Sequence, residues 1–386
     1  MSNACRSHAA GPPAHESVAN ILIRFHQRFL ARYGDGLSTE ERLALQSILL
    51  CRTRPMGGRS YHCEHCQSDH FAWHSCNHRL CPRCGAADTA QWVGTKLENR
   101  LPVDHFMVTF TLPKLLRRLC RYHPEAFYRL FFACAAQAIK DVLKQPRHLG
   151  GQCGFFGMLQ TWTQDLRLHP HIHFVIPAIG IGKDGAIRRP RSPKWLAYGE
   201  VFASRLKTLL LKAIEKQGML PVDRIRSLWS IGWNCDVENF GSGENSIKYL
   251  GGYLFKGPLS DSRILSSDER SVRISIKDRK SGKRHPLQID GVEFVRRYLQ
   301  HALPSGFHRI RYYGFLHCRS RQKLKTIREQ LGVDRRAVDK NPPEPIEPKP
   351  MLCPRCRQPM LFVGHQSRAP PWKRSIARIW RAQTAA

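Results

Sequence analysis

The sequence His169-Pro-His-Ile-His-Phe174 leads into Val175-Ile-Pro177, and the combined run is rich in β-branched and aromatic residues and closed by a proline. This composition favours a β-strand. Because alternate side chains of a strand point the same way, His171 and His173 should share one face while Ile172 packs into the core. Two adjacent imidazoles suit a divalent metal ion, although in a chain with 19 histidines they can also be a pair of surface residues.

Further along the chain, Tyr249-Leu-Gly-Gly-Tyr253 carries two tyrosines separated by three residues. On a helix, two residues at this spacing lie one turn apart on the same side. Tyrosine can act as a covalent nucleophile, but its ordinary pKa near 10 makes it a weak one unless the electrophile is activated. The pair therefore predicts either nucleophiles beside a metal-activated phosphodiester or amphipathic core residues whose hydroxyls reach water.

Basic residues dominate the composition of the 386-residue chain. Lys and Arg total 62 against 30 for Asp and Glu, which gives a formal net charge of +32. Because the basic residues recur along the whole chain, the charge predicts a long nucleic-acid partner rather than a localisation tag. No apolar run reaches about 18 residues, and the N-terminus has no apolar signal-peptide core. We therefore expect no membrane association and a cytoplasmic, nucleoid-associated protein.

Hydrophobic periodicity predicts an α+β fold, because several strands occur without a regular alternation with helices. The patterns predict helices at 18–50, 124–145, 203–217 and 290–303, strands at 104–113, 155–163, 171–177, 228–238 and 271–278, and a tyrosine segment at 245–256. Composition divides the chain into an N-terminal helical segment (1–50), a cysteine-rich module (51–95), a central domain that carries the histidine and tyrosine pairs (96–335), and a proline-rich linker with a basic tail (336–386).

The cysteines occur mainly as C-x-x-C pairs or alone in apolar stretches, which in an intracellular protein indicates metal ligands and buried thiols rather than disulfides. Cys63-Glu-His-Cys66 is followed by Cys81-Pro-Arg-Cys84, and two such turns can hold four thiolates tetrahedrally about Zn²⁺. We therefore predict a structural zinc bound by Cys63, Cys66, Cys81 and Cys84. Neighbouring residues leave the ligand set open, since one could replace a cysteine or help to bind a second ion: Cys76, His62, His65, His70, His74 and His78.

A third pair, Cys353-Pro-Arg-Cys356, follows the proline-rich linker and has no second pair after it. Cys318, His317 or His365 could complete a metal site with it, so zinc binding here stays open.

The chain resembles transposases of the insertion sequence 91 family, which belong to the HUH superfamily of single-strand endonucleases. The resemblance is carried by Ser75-Cys-Asn-His-Arg-Leu-Cys-Pro-Arg-Cys84, Val108-Thr-Phe-Thr-Leu-Pro113, Leu168-His-Pro-His-Ile-His173, Tyr249-Leu-Gly-Gly-Tyr253 and Arg309-Ile-Arg-Tyr-Tyr-Gly-Phe-Leu316. With further landmarks, these motifs extend over roughly residues 20–330.

The resemblance implies an HUH-type antiparallel sheet flanked by helices, with an N-terminal zinc-binding module. It implies an enzyme that nicks and rejoins single-stranded DNA at element ends and supports rolling-circle transposition. His171 and His173 would hold Mg²⁺ or Mn²⁺, and Tyr249 and Tyr253 would form 5′-phosphotyrosine links.

Three points stay open within that resemblance. The third metal ligand is not evident, and His169, Gln164 and Asp165 are candidates. The glycines at 251 and 252 each weaken a helix by about 1 kcal/mol, which puts a shared face for the two tyrosines in doubt. Leu80 stands where relatives often carry a histidine, so that histidine is not an essential ligand here.

Two rival functions remain at this level. The chain could be a plasmid-type replication initiator with the same chemistry, or a zinc-finger DNA-binding protein without catalysis. Metal-dependent nicking of single-stranded DNA would separate an enzyme from a binding protein, and element ends that flank the gene would indicate transposition.

Overall fold

The structure is a computed structural model that describes residues 16–192, 194–254, 257–278, 281–333 and 350–368. Within these residues the helices are α1 (Val18–Tyr33), α2 (Thr39–Leu50), α3 (Ala86–Glu98), α4 (Arg117–Tyr122), α5 (Pro124–Leu143), α6 (Gly199–Lys216), α7 (Val222–Ser230), α8 (Glu244–Leu254), α9 (Gly291–Leu299) and α10 (Arg321–Gln330). The strands are β1 (Gly58–Cys63), β2 (Ser68–Trp73), β3 (His105–Thr111), β4 (Gln152–Cys153), β5 (Phe155–Trp162), β6 (Leu168–Pro177), β7 (Gly180–Ile181), β8 (Ile187–Arg188), β9 (Asn234–Asn239), β10 (Ile264–Ser267), β11 (Ser271–Lys277), β12 (Arg284–Asp290), β13 (Ile310–Tyr313) and β14 (Leu361–Gln366). None of the helices in this part of the chain is both long and apolar enough to cross a membrane.

A five-stranded antiparallel sheet in the order β13-β5-β6-β3-β9 lies at the centre of the fold. One face of this sheet is covered by α5 and α6, where Phe110 packs edge to face against Phe174 and Phe202. Gly157 permits the close packing of this face, because a Cβ there would lie 2.3 Å from the Phe174 ring. The predicted α+β class, with an antiparallel sheet flanked by helices, is confirmed.

The opposite face of the same sheet packs against α8. Ile247 and Leu250 of this helix are buried against Met107, Met158 and Val175, which lie on three neighbouring strands. The helix α3 packs beside α8 through Trp92 and Val93. This second face is the one that carries the odd-numbered residues of β6, including both histidines of the predicted pair.

A separate core joins the N-terminal helices to a three-stranded sheet, β10-β11-β12, and to α9. Phe25 of α1 lies directly against Gly291, where an added Cβ would lie 2.0 Å from its ring. The buried Tyr298 hydroxyl donates a hydrogen bond of 2.6 Å to the Leu80 carbonyl oxygen. This core combines residues from both sides of the boundaries predicted at 50 and 95. The division of the chain into four segments stays a prediction.

Most predicted elements are confirmed, and two need correction. The helix predicted over 18–50 is two helices, because α1 ends at Tyr33 with Gly34 as its C-cap, and a capping box between Ser38 and Glu41 starts α2. The strand predicted over 228–238 begins only at Asn234, since Ile225 and Leu228 are buried at helical spacing in α7. Residues 334–349 and 369–386 of the predicted linker and tail lie outside the described residues.

Candidate active site and cysteine clusters

His171 and His173 lie side by side on β6, on the sheet face that packs against α8. Both are largely buried, with 7% and 5% of their surface exposed, and their ring centroids are 4.7 Å apart. The pair is therefore not a pair of exposed surface histidines. The predicted strand and the shared face are confirmed.

Backbone and side-chain groups of neighbouring strands orient the two imidazoles. His171 Nδ1 donates to the His169 carbonyl oxygen at 2.7 Å, and this assigns the proton to Nδ1 and a lone pair to Nε2. His173 Nδ1 lies 2.9 Å from the Thr109 hydroxyl, and its Nε2 lies 3.2 Å from Gln160 Oε1. Both rings are thus held in place before any ligand binds.

Gln160 is the residue of this site that the sequence patterns did not single out. It lies opposite His171 on β5, is 6% exposed, and shares the face of both histidines. The sequence did contain a signal for this residue, because Gln160 is an amide within the largely apolar strand Phe-Phe-Gly-Met-Leu-Gln-Thr-Trp. The structure shows that this strand is buried throughout, and a buried amide requires a polar partner.

Each of the three candidates for a third metal ligand has another polar partner. Arg117 donates to His169 Nδ1 at 2.8 Å, which occupies that lone pair and brings a positive charge. Gln164 Oε1 accepts from the Lys277 backbone N–H at 2.6 Å, and Asp165 forms an ion pair of 2.8 Å with Arg167.

Two carboxylates lie on the edge strand β9, on the same face of the sheet. Asp236 is opposite Thr109, which is itself opposite His173, and Glu238 is opposite Met107. Burial, followed by hydrogen bonding to and repulsion by Asp236, raises the pKa of Glu238. These two carboxyl groups add polar acceptors to the face that carries the histidines.

Tyr249 and Tyr253 both fall within α8, the helix that covers this face. The backbone confirms that both positions are helical, while their side chains lie outside the described part of the structure. Gly251 lies between them, buried against α3, and a Cβ there would lie 2.1 Å from Val93 Cγ2. This glycine permits the close approach of α3 and α8.

The cysteines form two clusters, and the grouping predicted from the sequence is wrong. Cys81 and Cys84 lie with Cys51 and Cys76, whereas Cys63 and Cys66 lie with Cys353 and Cys356. In each cluster the four sulfur atoms lie within 4.8 Å of one another. The reason is that β1 pairs with both β2 and β14, and this pairing places Cys63 and Cys66 beside the C-terminal cysteines instead of beside Cys81 and Cys84.

The first cluster, Cys51, Cys76, Cys81 and Cys84, has the geometry of a four-thiolate metal site. Cys84 Sγ lies 3.6 Å from Cys51 Sγ and 3.8 Å from Cys76 Sγ. A tetrahedron with Zn–S bonds of about 2.3 Å has edges of about 3.8 Å, which agrees with these distances. Hydrogen bonds from the other three thiols, with Cys51 foremost, lower the pKa of Cys84 and favour its thiolate form.

The chain is 34% identical over 336 residues to "Putative transposase y4qJ" of Sinorhizobium fredii (strain NBRC 101917 / NGR234), and the match covers 82% of this chain and 84% of that protein. Residues 21–112 match the family model "Transposase zinc-binding domain" of insertion sequence 91 elements. The chain belongs to the insertion sequence 91 family of transposases. The first cysteine cluster lies wholly within this matched domain, and together they support a structural zinc in the transposase.

A second family model, described as "Putative transposase", matches residues 154–323 of the transposase and so includes both histidines and both tyrosines. The chain is also 27% identical over 300 residues to "Transposase for insertion sequence element IS801" of Pseudomonas savastanoi pv. phaseolicola, covering 73% of this chain and 71% of that protein. No solved structure matches it. Membership of this family makes the protein a DNA-binding enzyme that cleaves DNA and transfers strands.

Proposed function

We propose that this transposase nicks and rejoins single-stranded DNA at element ends through a 5′-phosphotyrosine intermediate, and that this chemistry supports rolling-circle transposition. The observation that carries the proposal is the position of α8. The helix that contains Tyr249 and Tyr253 packs on the same sheet face that carries His171 and His173.

The donor set of this face suits a hard divalent cation. The rings of His171 and His173 and the side-chain amide of Gln160 are adjacent and buried, and a bound cation would replace the 3.2 Å hydrogen bond that His173 Nε2 donates to the Gln160 amide oxygen. Imidazole nitrogen with amide or carboxylate oxygen is compatible with Mg²⁺ or Mn²⁺, whereas soft thiolates are absent from this face among the described residues. When bound, such an ion polarises a phosphodiester and neutralises charge on its non-bridging oxygens.

The chemistry of the chain itself is a transesterification. A tyrosine hydroxyl attacks the scissile phosphorus, the 5′-phosphate becomes linked to the phenol oxygen, and the phenolic proton balances the released 3′-hydroxyl. Rejoining is the reverse attack by a 3′-hydroxyl. The phosphodiester energy is retained in the covalent link, so no nucleotide cofactor is required.

Two tyrosines one helical turn apart support two successive cleavages. The first can remain joined to the donor strand while the second attacks the target or the returning end. Gly251 contributes by letting α8 lie close to α3, so that the backbone of both positions is held against the rigid sheet.

DNA would be held mainly by charge. The net charge of +32 supplies phosphate contacts along a long track, and these contacts do not depend on the cation at the histidines. Binding and cleavage should therefore be separable by mutation.

The test is incubation of the full-length chain with end-labelled single-stranded oligonucleotides from element ends, with Mg²⁺ or Mn²⁺, followed by a denaturing gel. We expect a covalent protein–DNA adduct that requires the metal and is lost in the Tyr249→Phe, Tyr253→Phe double variant. Tyr122→Phe is the matched control, because Tyr122 is 69% exposed and its helix α4 packs through Leu119 and Cys120 into the core on the opposite face of the sheet. DNA binding without any metal-dependent adduct would indicate a zinc-finger DNA-binding protein without catalysis instead.

A further inference from the structure

The C-terminal segment of the described chain, residues 350–368, packs against the N-terminal hairpin, which is formed by β1 and β2. Its strand β14 pairs with β1 from Gly58 opposite Gln366 to His62 opposite Leu361. The Ser60 hydroxyl donates to the Gly364 carbonyl oxygen at 3.1 Å, and Arg368 donates to the Ser75 carbonyl oxygen at 3.3 Å. The result is a three-stranded sheet, β14-β1-β2, built from segments about 300 residues apart in the sequence.

This small sheet has little apolar core to stabilise it. Its buried residues are Cys63, Cys353 and Met360, with Tyr61 and Met351 packed beside them. Several of its other large apolar side chains are exposed: Phe71, Leu361, Phe362 and Val363. A hairpin of two strands is marginally stable at best, and a third strand adds stability only with a buried face, so this sheet requires another source of stability.

The second cysteine cluster lies at the end of this sheet. Cys63 Sγ is 3.4 Å from Cys356 Sγ, and Cys66 Sγ is 3.5 Å from Cys353 Sγ. These separations are close to the edge of about 3.8 Å expected for a tetrahedral zinc site and far above the disulfide bond length of about 2.05 Å. Cys63 and Cys353 are fully buried, so their thiols lie in an enclosed site.

The two C-x-x-C turns have matching backbone geometry. Each is followed by a non-glycine residue in the left-handed region, Gln67 with φ 51° and Arg357 with φ 64°. L-residues pay about 1 kcal/mol or more for this conformation, and its occurrence at the same position of both turns indicates a shared constraint.

We propose that Cys63, Cys66, Cys353 and Cys356 bind a second structural Zn²⁺, which fastens the C-terminal segment to the N-terminal hairpin. The thiols release their protons on binding and no oxidation or reduction takes place. Two of the four ligands lie beyond residue 112, where the match to the zinc-binding domain ends. The site is independent of the nicking chemistry, and neither measurement below depends on activity.

The first test is the zinc content of the full-length protein, purified under reducing conditions and measured by elemental analysis. We expect two zinc ions per chain in the wild type and one in the Cys353→Ser, Cys356→Ser variant. Cys318→Ser is the matched control, because Cys318 is exposed and belongs to neither cluster, and it should retain two. One zinc in the wild type, or two in the double variant, would overturn the proposal.

The second test stays valid if the double variant folds poorly. In the wild type, brief alkylation followed by peptide mass spectrometry should leave the four cysteines of this cluster unmodified until a chelator is added, while Cys318 reacts at once. Two results would refute the zinc site. One is a peptide mass that reveals Cys63–Cys356 or Cys66–Cys353 disulfides in freshly reduced protein. The other is rapid alkylation of Cys66 and Cys356 with zinc present.

Discussion

Gly251→Ala should impair catalysis much more than it impairs stability. The added Cβ would lie 2.1 Å from Val93 Cγ2, whereas two carbon atoms in contact prefer about 3.5–4.0 Å. The side chain of Val93 is short and β-branched, so it cannot rotate away freely. We therefore expect α8 to move away from α3 by about 1.5 Å, the difference between these distances.

The cost to stability should be small because two effects oppose each other. Overpacking costs about 1–3 kcal/mol, while replacing a helical glycine by alanine recovers about 1 kcal/mol. The free energy of unfolding should therefore fall by at most about 2 kcal/mol. A misplacement of about 1 Å at a reacting group can reduce the rate about 100-fold, so nicking should fall by about that factor.

The assay combines urea unfolding with the rate of adduct formation on a labelled single-stranded oligonucleotide. Gly94→Ala is the matched control: Gly94 lies on α3 with nothing within 4 Å of an added Cβ, so it should gain about 1 kcal/mol and keep full activity. Adding Val93→Ala to Gly251→Ala removes the clashing methyl and should restore much of the rate. Adduct formation at the wild-type rate by Gly251→Ala alone would refute the claim that close packing of α8 positions the nucleophiles.

Further predictions concern the metal, the nucleophiles, the DNA and the buried histidine. His173→Ala should reduce nicking at least about 100-fold, since a catalytic ion supplies several kcal/mol of transition-state stabilisation, and it should spare DNA binding. The control His285→Ala, on the exposed part of β12, should change neither nicking nor DNA binding. Equal nicking by both variants in Mg²⁺ would contradict the metal site. Tyr249→Phe and Tyr253→Phe should each block complete transposition yet still cleave an oligonucleotide; if mass spectrometry finds DNA on only one of them and the other variant transposes normally, the enzyme has a single nucleophile. Log K for a single strand should fall against log salt with a slope of about −0.7 per phosphate contacted, and a slope near zero in filter binding would argue against a charge-held DNA track. Burial lowers the pKa of His301 to about 3, whereas an unfolded histidine has a pKa of about 6.5. The free energy of unfolding should therefore fall by about 1.4 kcal/mol per pH unit as the pH decreases from about 6.5 towards 3. Urea unfolding of His301→Gln should show a shallower loss of stability with pH, and parallel stability–pH curves for the two proteins would show that this histidine does not contribute.

Local sequence patterns were sufficient to predict a helix or strand wherever that element buries one apolar face. The β6 strand was predictable because a period of two separates Ile172, Phe174 and Ile176 from the histidines, and the sheet interior accepts only the apolar set. The pattern failed at α7, where apolar residues near 228–231 fit a short strand as well as a helix, and burial of Ile225 and Leu228 selects the helix.

The sequence by itself determined the residue chemistry of this transposase: a histidine pair on a strand, a tyrosine pair on a helix, cysteine turns able to hold zinc, and a strongly positive charge. These follow from spacing and composition within a few residues. Tertiary structure alone decided that Cys51 and Cys76 join Cys81 and Cys84, that Gln160 lies beside the histidines, and that Cys353 and Cys356 meet Cys63 and Cys66. A C-x-x-C turn contributes only two of four ligands and carries no information about its partner. The partner is set by strand pairing and packing between segments as far apart as β1 and β14.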